Sequence, residues 1–209
     1  MVDNDNCWKL IRLIYHDNIN MINPVIELLK ILPIDSEISR QMRLNLYQAS
    51  DTLKNARILA HLKEKTQMKS LTCSLQDILE PIINRIEERY ATAEQIKIYN
   101  QQTLNQTYIE TDIGMFETLL ENLILNAYRF SNLCHLNTLN KTIIIENQTN
   151  EDARSLFEMP IKTDRFGITG SGLGLKVVKS ISEKLKIPIN STYNENTLAV
   201  QIDISSIVR

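Results

Sequence analysis

The chain has 209 residues, of which 43% are apolar, and a formal net charge of −2. This apolar fraction supports a packed core, and the near-neutral charge argues against electrostatic binding of nucleic acid. No apolar run approaches the roughly 18 residues that a membrane-spanning helix requires, and no signal peptide is evident. Three scattered cysteines, Cys7, Cys73 and Cys134, lack the spacing of a metal site and fit a reducing, cytoplasmic location.

The first third of the sequence contains two long helical patterns separated by a break at Pro33-Ile-Asp-Ser36. Apolar residues recur in each pattern at alternating steps of three and four, which is typical of a coiled-coil seam. The seam positions are Ile11, Ile14, Asn18, Met21, Val25, Leu28 and Leu32, then Met42, Leu46, Ala49, Leu53, Ala56 and Ala60. Further apolar residues flank both seams, and one hairpin cannot bury so wide a face alone. The pattern therefore predicts a helical hairpin that pairs with a second copy as a dimeric four-helix bundle.

One histidine lies beside the first seam. His16 is followed directly by Asp17 and, one helical turn later, by Asn20. A neutral imidazole nitrogen is nucleophilic, and a neighbouring carboxylate can orient it and accept its proton. A solvated His-Asp pair on a helix surface has the same local sequence, so the residues alone leave both interpretations open.

From about residue 70 the pattern changes to mixed helices and strands. Ser74 and Asp77 form a capping box that opens a helix to about Ala91. Strands are predicted at 96–99 and 107–110, at 135–147 as a hairpin turning at Asn140-Lys141, and at 196–204.

A strongly apolar helix is predicted from Phe116 to about Phe130, with Thr111 or Asp112 as its cap. Asn122 and Asn126 are four residues apart on one face of this helix. Asparagine is a poor residue for a helix interior because its amide competes with the backbone. Its amide oxygen suits a hard cation such as Mg²⁺, so the pair indicates either a ligand site or a solvated polar face.

Four of the five glycines lie within eight residues, at Gly167, Gly170, Gly172 and Gly174. An amphipathic helical pattern follows at 176–185. A glycine-rich loop that leads into a helix N-terminus offers exposed amides and a positive dipole end to an anion, typically phosphate. The same run also fits a flexible loop with a tight helix entry.

Together these two segments resemble the N box and the second glycine box of the histidine-kinase ATPases of the GHKL superfamily. The ten residues from Asn122 to Ser131 match the N box, N-L-x-x-N-A-x-[KR]-[YF]-[ST], at every defined position. The run Gly170-Ser-Gly-Leu-Gly-Leu matches G-[ST]-G-L-G-L in the expected order and spacing. The resemblance covers about residues 70–209 and implies a GHKL-type α/β sandwich, a mixed sheet covered on one face by helices. The whole chain is then an α+β protein.

The resemblance also implies a site for ATP and Mg²⁺. Asn122 would hold the metal, and Asn126 and Arg129 would lie along the triphosphate. The phosphates would be cradled by Gly170, Gly172, Leu173, Gly174 and Leu175. The family's first glycine box, D-x-G-x-G, is replaced by Glu-Asn-Gln-Thr-Asn at 146–150, and strand alternation puts Asn147 at the position of its adenine-binding aspartate.

The histidine segment resembles the family's H box, H-[ED]-x-x-[TN]-P, with Met21 in place of the proline. In the family the histidine accepts the γ-phosphoryl group and the acidic neighbour accepts its proton. These roles would fall to His16 and Asp17. Asn20 would position the water that dephosphorylates the partner regulator.

The sequence thus predicts a dimerisation and histidine-phosphotransfer hairpin at 1–66 and a histidine-kinase-like ATPase domain at 70–209, directed outward from the bundle. The predicted function is two-component signalling, in which ATP phosphorylates His16 and the phosphoryl group passes to an aspartate of a response-regulator receiver domain. Two alternatives stay open. One is a histidine phosphotransferase with a vestigial ATPase domain, and the other is a non-catalytic dimeric scaffold that binds a kinase or a response regulator.

Overall fold

The computed structural model describes residues 4–31, 37–62, 68–90, 96–131, 134–148, 157, 164 and 166–209. The helices are α1 (Asn4–Ile31), α2 (Glu37–Leu62), α3 (Leu75–Tyr90), α4 (Gln101–Gln106), α5 (Ile113–Phe130) and α6 (Leu173–Leu185). The strands are β1 (Ser70–Ser74), β2 (Ile96–Ile98), β3 (Tyr108–Asp112), β4 (Cys134–Leu139), β5 (Thr142–Gln148), β6 (Ile189–Asn194) and β7 (Thr197–Asp203). Among the described helices, none has the length and apolarity needed to cross a bilayer.

The two long helices form an antiparallel hairpin, as the sequence predicts. Arg43 of α2 donates to the backbone carbonyl of Leu29, and the Arg57 guanidinium lies over the ring of Tyr15 nearer the other end of the pair. The break predicted at 33–36 lies outside the described residues.

Most of the predicted seam is not buried within this hairpin. Of the described seam positions only Ala60 is buried, and the other buried apolar residues of the two helices, Ile26, Leu29 and Leu44, lie beside the seam. The seam side of α1 is instead an exposed apolar stripe, which consists of Ile14, Met21, Val25 and Leu28. A stripe of this kind on a single chain is an unpartnered helix face.

The remaining elements form an α/β unit around a five-stranded sheet of order β2-β4-β5-β7-β6. Strands β2 and β4 are parallel, and the other neighbouring pairs are antiparallel. The predicted hairpin turns at Asn140 and Lys141, both with positive φ, which matches the tight turn that a right-twisted hairpin favours. A separate two-stranded sheet pairs β1 with β3.

The helix starts follow local chemistry. The Ser74 hydroxyl accepts from the backbone N–H of Asp77 at 3.1 Å, and the Asp112 carboxylate accepts from the N–H of Met115 at 3.1 Å. These caps satisfy amides that a helix N-terminus otherwise leaves unpaired. The Ser74 cap sets the start of α3, and the Asp112 cap sets the start of α5, the helix that carries the candidate nucleotide residues.

The main core lies between the sheet and helices α3, α5 and α6. Its largest fully buried side chains include Phe116, Leu120 and Ile124 on α5. Strand β5 alternates strictly, with Ile143, Ile145 and Asn147 directed into the buried side. This alternation is the feature that places Asn147 inside the domain.

The α/β unit is not directed away from the hairpin as the sequence predicts. Helix α2 packs along α6 and contacts α3, and its side chains form hydrogen bonds to α5. Ion pairs join the two parts at Lys54–Glu121 and at Arg89–Asp51. The second arm of the hairpin therefore lies against the helices that carry the N box and the second glycine box.

Candidate functional site

The three residues predicted for phosphotransfer lie together on an exposed face of α1. The His16 side chain is 74% exposed, and its Nδ1 lies 3.4 Å from Oδ1 of Asp17. The side-chain nitrogen of Asn20 lies 3.3 Å from the same Nδ1. If Nδ1 carries the ring proton, it can donate to Asp17, and the lone pair is then on Nε2, which lies 3.5 Å from the Asn20 side-chain nitrogen.

The helix around this cluster runs unbroken although Met21 replaces the family's proline. Pro24 lies inside α1 instead, one turn beyond Asn20. Because proline has no N–H, it cannot bond the carbonyl of the residue four positions earlier, which is Asn20. The helix therefore lacks one backbone hydrogen bond beside the histidine cluster.

The N box and the second glycine box meet in space. Helix α6 begins after Gly172, whose φ of 69° is a left-handed conformation that favours glycine. A side chain at position 174 would put its Cβ only 2.9 Å from Oδ1 of Asn122, so glycine there allows close approach of the two helices. Leu173 to Leu175 form the first turn of α6, and Gly170 lies in the half-buried loop before it. Asn126, one turn beyond Asn122, is also half-buried.

Arg129, the basic residue of the N box, is buried and bonded within the protein. It forms an ion pair with Asp164, a side chain with no exposed surface. Its other guanidinium nitrogens donate to the Gln48 side-chain oxygen at 2.6 Å and to the Ile168 carbonyl at 3.3 Å. In this arrangement the charge of Arg129 is neutralised inside the fold instead of facing a phosphate.

Helix α2 covers Asn122, the predicted metal ligand. The Asn55 side chain donates to Oδ1 of Asn122 at 3.1 Å, and Asn122 donates in turn to the carbonyl of Thr118 at 2.9 Å. A Mg²⁺ ion held by Asn122 would need the oxygen that Asn55 occupies. These residues therefore do not fit Mg-ATP while α2 lies against them.

The neighbouring ion pair supports this closure. Lys54 of α2 donates to Glu121 of α5 at 2.6 Å. Burial disfavours the charged form of Glu121, but Lys54 and Arg85 outweigh it, so the pKa of Glu121 lies below its usual value. Glu121 is consequently ionised at neutral pH.

The predicted adenine-contacting residue is buried. Asn147 lies on the inward face of β5, paired in register with Cys134 on one neighbouring strand and Leu198 on the other. Its amide nitrogen lies 3.4 Å from the carbonyl of Gln148. The side chain at this position is an amide, which has both a donor and an acceptor, whereas a carboxylate would only accept.

Four residues of this site are not predicted from the sequence: Gln48, Lys54, Asn55 and Asp164. Asn55 carries a signal that could have been used, because an asparagine inside a helix calls for the same explanation as Asn122. Asp164 has no comparable signal in the sequence.

Solved structures with a similar fold include histidine kinases. The Acinetobacter baumannii histidine kinase AdeS has a TM-score of 0.55 and 18% identity, over 90% of this chain and 95% of that one. Full-length ShkA in complex with AMPPNP has a TM-score of 0.55 and 16% identity, over 96% of this chain and 46% of that one. The mycobacterial sensor histidine kinase MprB has a TM-score of 0.51 and 15% identity, over 68% of this chain and 99% of that one.

The chain has the fold of a histidine kinase core. The resemblance predicted from the N box and the second glycine box is thereby confirmed at the level of fold, as is the α+β class. The chain spans under half of the length of ShkA. No protein-family model matches the sequence, and no curated protein matches it either. At these identities the comparison establishes the fold alone.

Proposed function

We propose that this chain is a two-component phosphotransfer protein in which His16 carries the phosphoryl group. The observation that supports it most is the exposed cluster of His16, Asp17 and Asn20 on a helical hairpin joined to a histidine-kinase fold. The partner is a response-regulator receiver domain, whose aspartate gives or takes the phosphoryl group.

The residues of the cluster supply each part of this transfer. The Nε2 lone pair of His16 attacks the phosphorus of an aspartyl phosphate, and an N–P bond forms. The P–O bond breaks, and its electron pair leaves with the receiver's carboxylate. Asp17 accepts the Nδ1 proton of the resulting imidazolium, so the phosphohistidine is left without a ring charge.

Closure of the nucleotide site favours the phosphotransferase hypothesis over the kinase hypothesis. Asn55 occupies the oxygen of Asn122, and the donors of Arg129 are bonded to Asp164, Gln48 and Ile168. An ATP-dependent step would require α2 to leave α5 and α6. The receiver-dependent step requires no such movement, because His16 is already exposed.

The source of the phosphoryl group decides between the hypotheses. The full chain is incubated with Mg-ATP, or with receiver domains phosphorylated by acetyl phosphate, and the acid-labile label is located by mass spectrometry. We expect label on His16 from a receiver and little or none from ATP. Efficient labelling by ATP would restore the kinase hypothesis. No label on His16 from either source would leave the dimeric scaffold.

Charge reversal at Lys54 is expected to increase nucleotide binding. In Lys54→Glu the new carboxylate lies beside Glu121, and the two like charges repel each other. This repulsion weakens the contact between α2 and α5 and displaces α2 from Asn122. Apparent affinity rises with the fraction of molecules whose site is open, so the Kd for a Mg²⁺-loaded ATP analogue should fall about tenfold or more. Calorimetry on the two proteins measures this change.

The matched control also reverses the charge at Glu121, the partner of Lys54. Lys54→Glu combined with Glu121→Lys re-forms the pair in the opposite sense and should return the Kd to the wild-type value. Equal Kd values in all three proteins would show that α2 does not limit binding. No binding in any of them at millimolar analogue would mean that the domain has lost its nucleotide site.

The exposed stripe on α1 is proposed to pair with a second copy. Leu28→Glu would place a charge in that interface, where an unpaired buried charge costs about 3 to 5 kcal/mol. We expect the dimer dissociation constant to rise at least about 100-fold, measured by analytical ultracentrifugation. Leu139→Glu is the control, because Leu28 and Leu139 are 54% and 53% exposed and Leu139 lies on the sheet. A monomeric wild-type chain at micromolar concentration would contradict the pairing.

A further inference from the structure

A cleft opens beside His16 between the two arms of the hairpin. It has a volume of about 500 Å³ and is lined by Tyr15, His16, Arg57, Ile58 and His61. The first two residues come from α1 and the other three from α2. The nucleophile of the proposed function therefore faces side chains of the second arm, which the H-box resemblance does not include.

Arg57 supplies the permanent positive charge of this cleft. Its guanidinium carbon lies 4.7 Å from the centroid of the Tyr15 ring, within the range of a cation–π contact. The contact holds the guanidinium beside the ring. Arginine has five N–H donors in a rigid fork that matches phosphate oxygens, so a cation held in this place can also bind an anion.

A cation beside His16 would offset the negative charges that meet there during phosphoryl transfer. A phosphoryl group brings a charge of about −1.5 to −2 at neutral pH. It would arrive beside the Asp17 carboxylate, whose Oδ1 lies 3.4 Å from His16 Nδ1. Without a cation the arriving phosphoryl group and the ionised Asp17 carboxylate would repel each other, and the transfer would be disfavoured.

We propose that Arg57 binds the phosphoryl group as it moves on and off His16, and that Tyr15 positions Arg57 for this contact. The guanidinium matches phosphate oxygens with two parallel N–H donors, as arginine–phosphate pairs do. No bond to Arg57 forms or breaks. Its positive charge offsets the negative charge of the phosphoryl group while the N–P bond of phosphohistidine is made or cleaved. This role rests on the proposed function and adds a residue of α2 to it.

Phosphoramidate tests this role without a receiver domain. His16 Nε2 attacks its phosphorus, the P–N bond breaks, and ammonia leaves after taking up a proton. The full chain and its variants are treated with phosphoramidate, and label on His16 is followed over time by mass spectrometry at alkaline pH. Arg57→Ala should slow labelling about 10- to 100-fold, which corresponds to the loss of one hydrogen bond to a charged group. Arg57→Lys should recover part of the rate, since it keeps the charge without the fork.

Two further variants separate positioning from general structure. Tyr15→Phe keeps the ring and should label at the wild-type rate, whereas Tyr15→Ala should be slow. The ³¹P chemical shift of phosphohistidine should move in Arg57→Ala and in Tyr15→Ala but not in Tyr15→Phe. Arg43→Ala is the charge control, because Arg43 lies on the same helix and bonds the carbonyl of Leu29, far from the cleft.

The outcomes distinguish this role from the proposed function itself. Labelling of Arg57→Ala within about twofold of Arg43→Ala, with transfer from a receiver intact, would overturn the role of Arg57 and leave the proposed function in place. A His16 that accepts phosphate neither from phosphoramidate nor from a receiver would overturn both. A shift of the ³¹P signal in Arg57→Ala, together with slow labelling, would support both.

Discussion

His16→Gln is expected to abolish the acid-labile, alkali-stable label completely, whichever donor supplies it. The glutamine amide is not a nucleophile, so no phosphoryl group can be carried at this position. The change should leave the fold intact, because the His16 side chain is 74% exposed and bonds only to its neighbours on α1. Radiolabelling or mass spectrometry measures the loss, and circular dichroism checks the fold.

The neighbours of His16 are expected to have different effects. Asp17→Asn removes the carboxylate that accepts the imidazole proton and should slow labelling about 100-fold or more. Asn20→Ala should mainly change dephosphorylation of the partner receiver, since this side chain would position water. His135→Gln is the control, because His135 lies on β4 and packs edge-on against Tyr99. Label that persists in His16→Gln would identify another acceptor and contradict the proposed function.

The elements that the sequence predicts well are those set by neighbouring residues. The Ser74 cap, the Asp112 cap and the turn at Asn140-Lys141 each depend on chemistry within four residues, and each is found where expected. The cluster around His16 is equally local, because Asn20 lies four residues after His16 and three after Asp17, which are the spacings that bring side chains together on a helix surface.

The strands that the sequence analysis misses are at sheet edges. Strand β1 pairs only with β3, and β6 is the last strand of its sheet. Their residues alternate between exposed and half-buried or are largely exposed, so they lack the apolar signal of a central strand. Their existence depends on the partner strand, which the local sequence does not reveal.

The closed state of the nucleotide site depends on contacts between distant parts of the chain. Asn55 and Asn122 are 67 residues apart, and Gln48 and Arg129 are 81 apart. The motif match identifies Asn122 and Arg129 as candidates but contains no information about α2. The prediction that the α/β unit is directed away from the hairpin is therefore the one that the structure contradicts.

A large loss of stability is expected from Asp164→Asn. This change removes the carboxylate charge that neutralises Arg129, whose side chain is only 7% exposed. Leaving one member of a buried ion pair uncompensated costs about 3 to 5 kcal/mol. For a chain of this size the loss corresponds to a fall in melting temperature on the order of 10 °C. Urea unfolding and calorimetry measure both quantities.

The asparagine is chosen because it retains an oxygen for the loop that precedes the second glycine box. Asp164 Oδ1 accepts from the backbone N–H groups of Phe166 and Ile168, each at 2.9 Å. Asp164→Ala removes these acceptors as well and should cost more than Asp164→Asn. The difference between the two variants isolates the loop contribution from that of the charge.

An exposed pair of the same chemistry is the matched control. Glu117 accepts from Arg85 at 2.8 Å, but both side chains are over a third exposed. Because water screens such a pair, Glu117→Gln should change the free energy of unfolding by less than about 1 kcal/mol. If Asp164→Asn costs no more than this control, the guanidinium of Arg129 is not held inside the fold in solution. Arg129 would then be available to a phosphate, and the main argument against the kinase hypothesis would be lost.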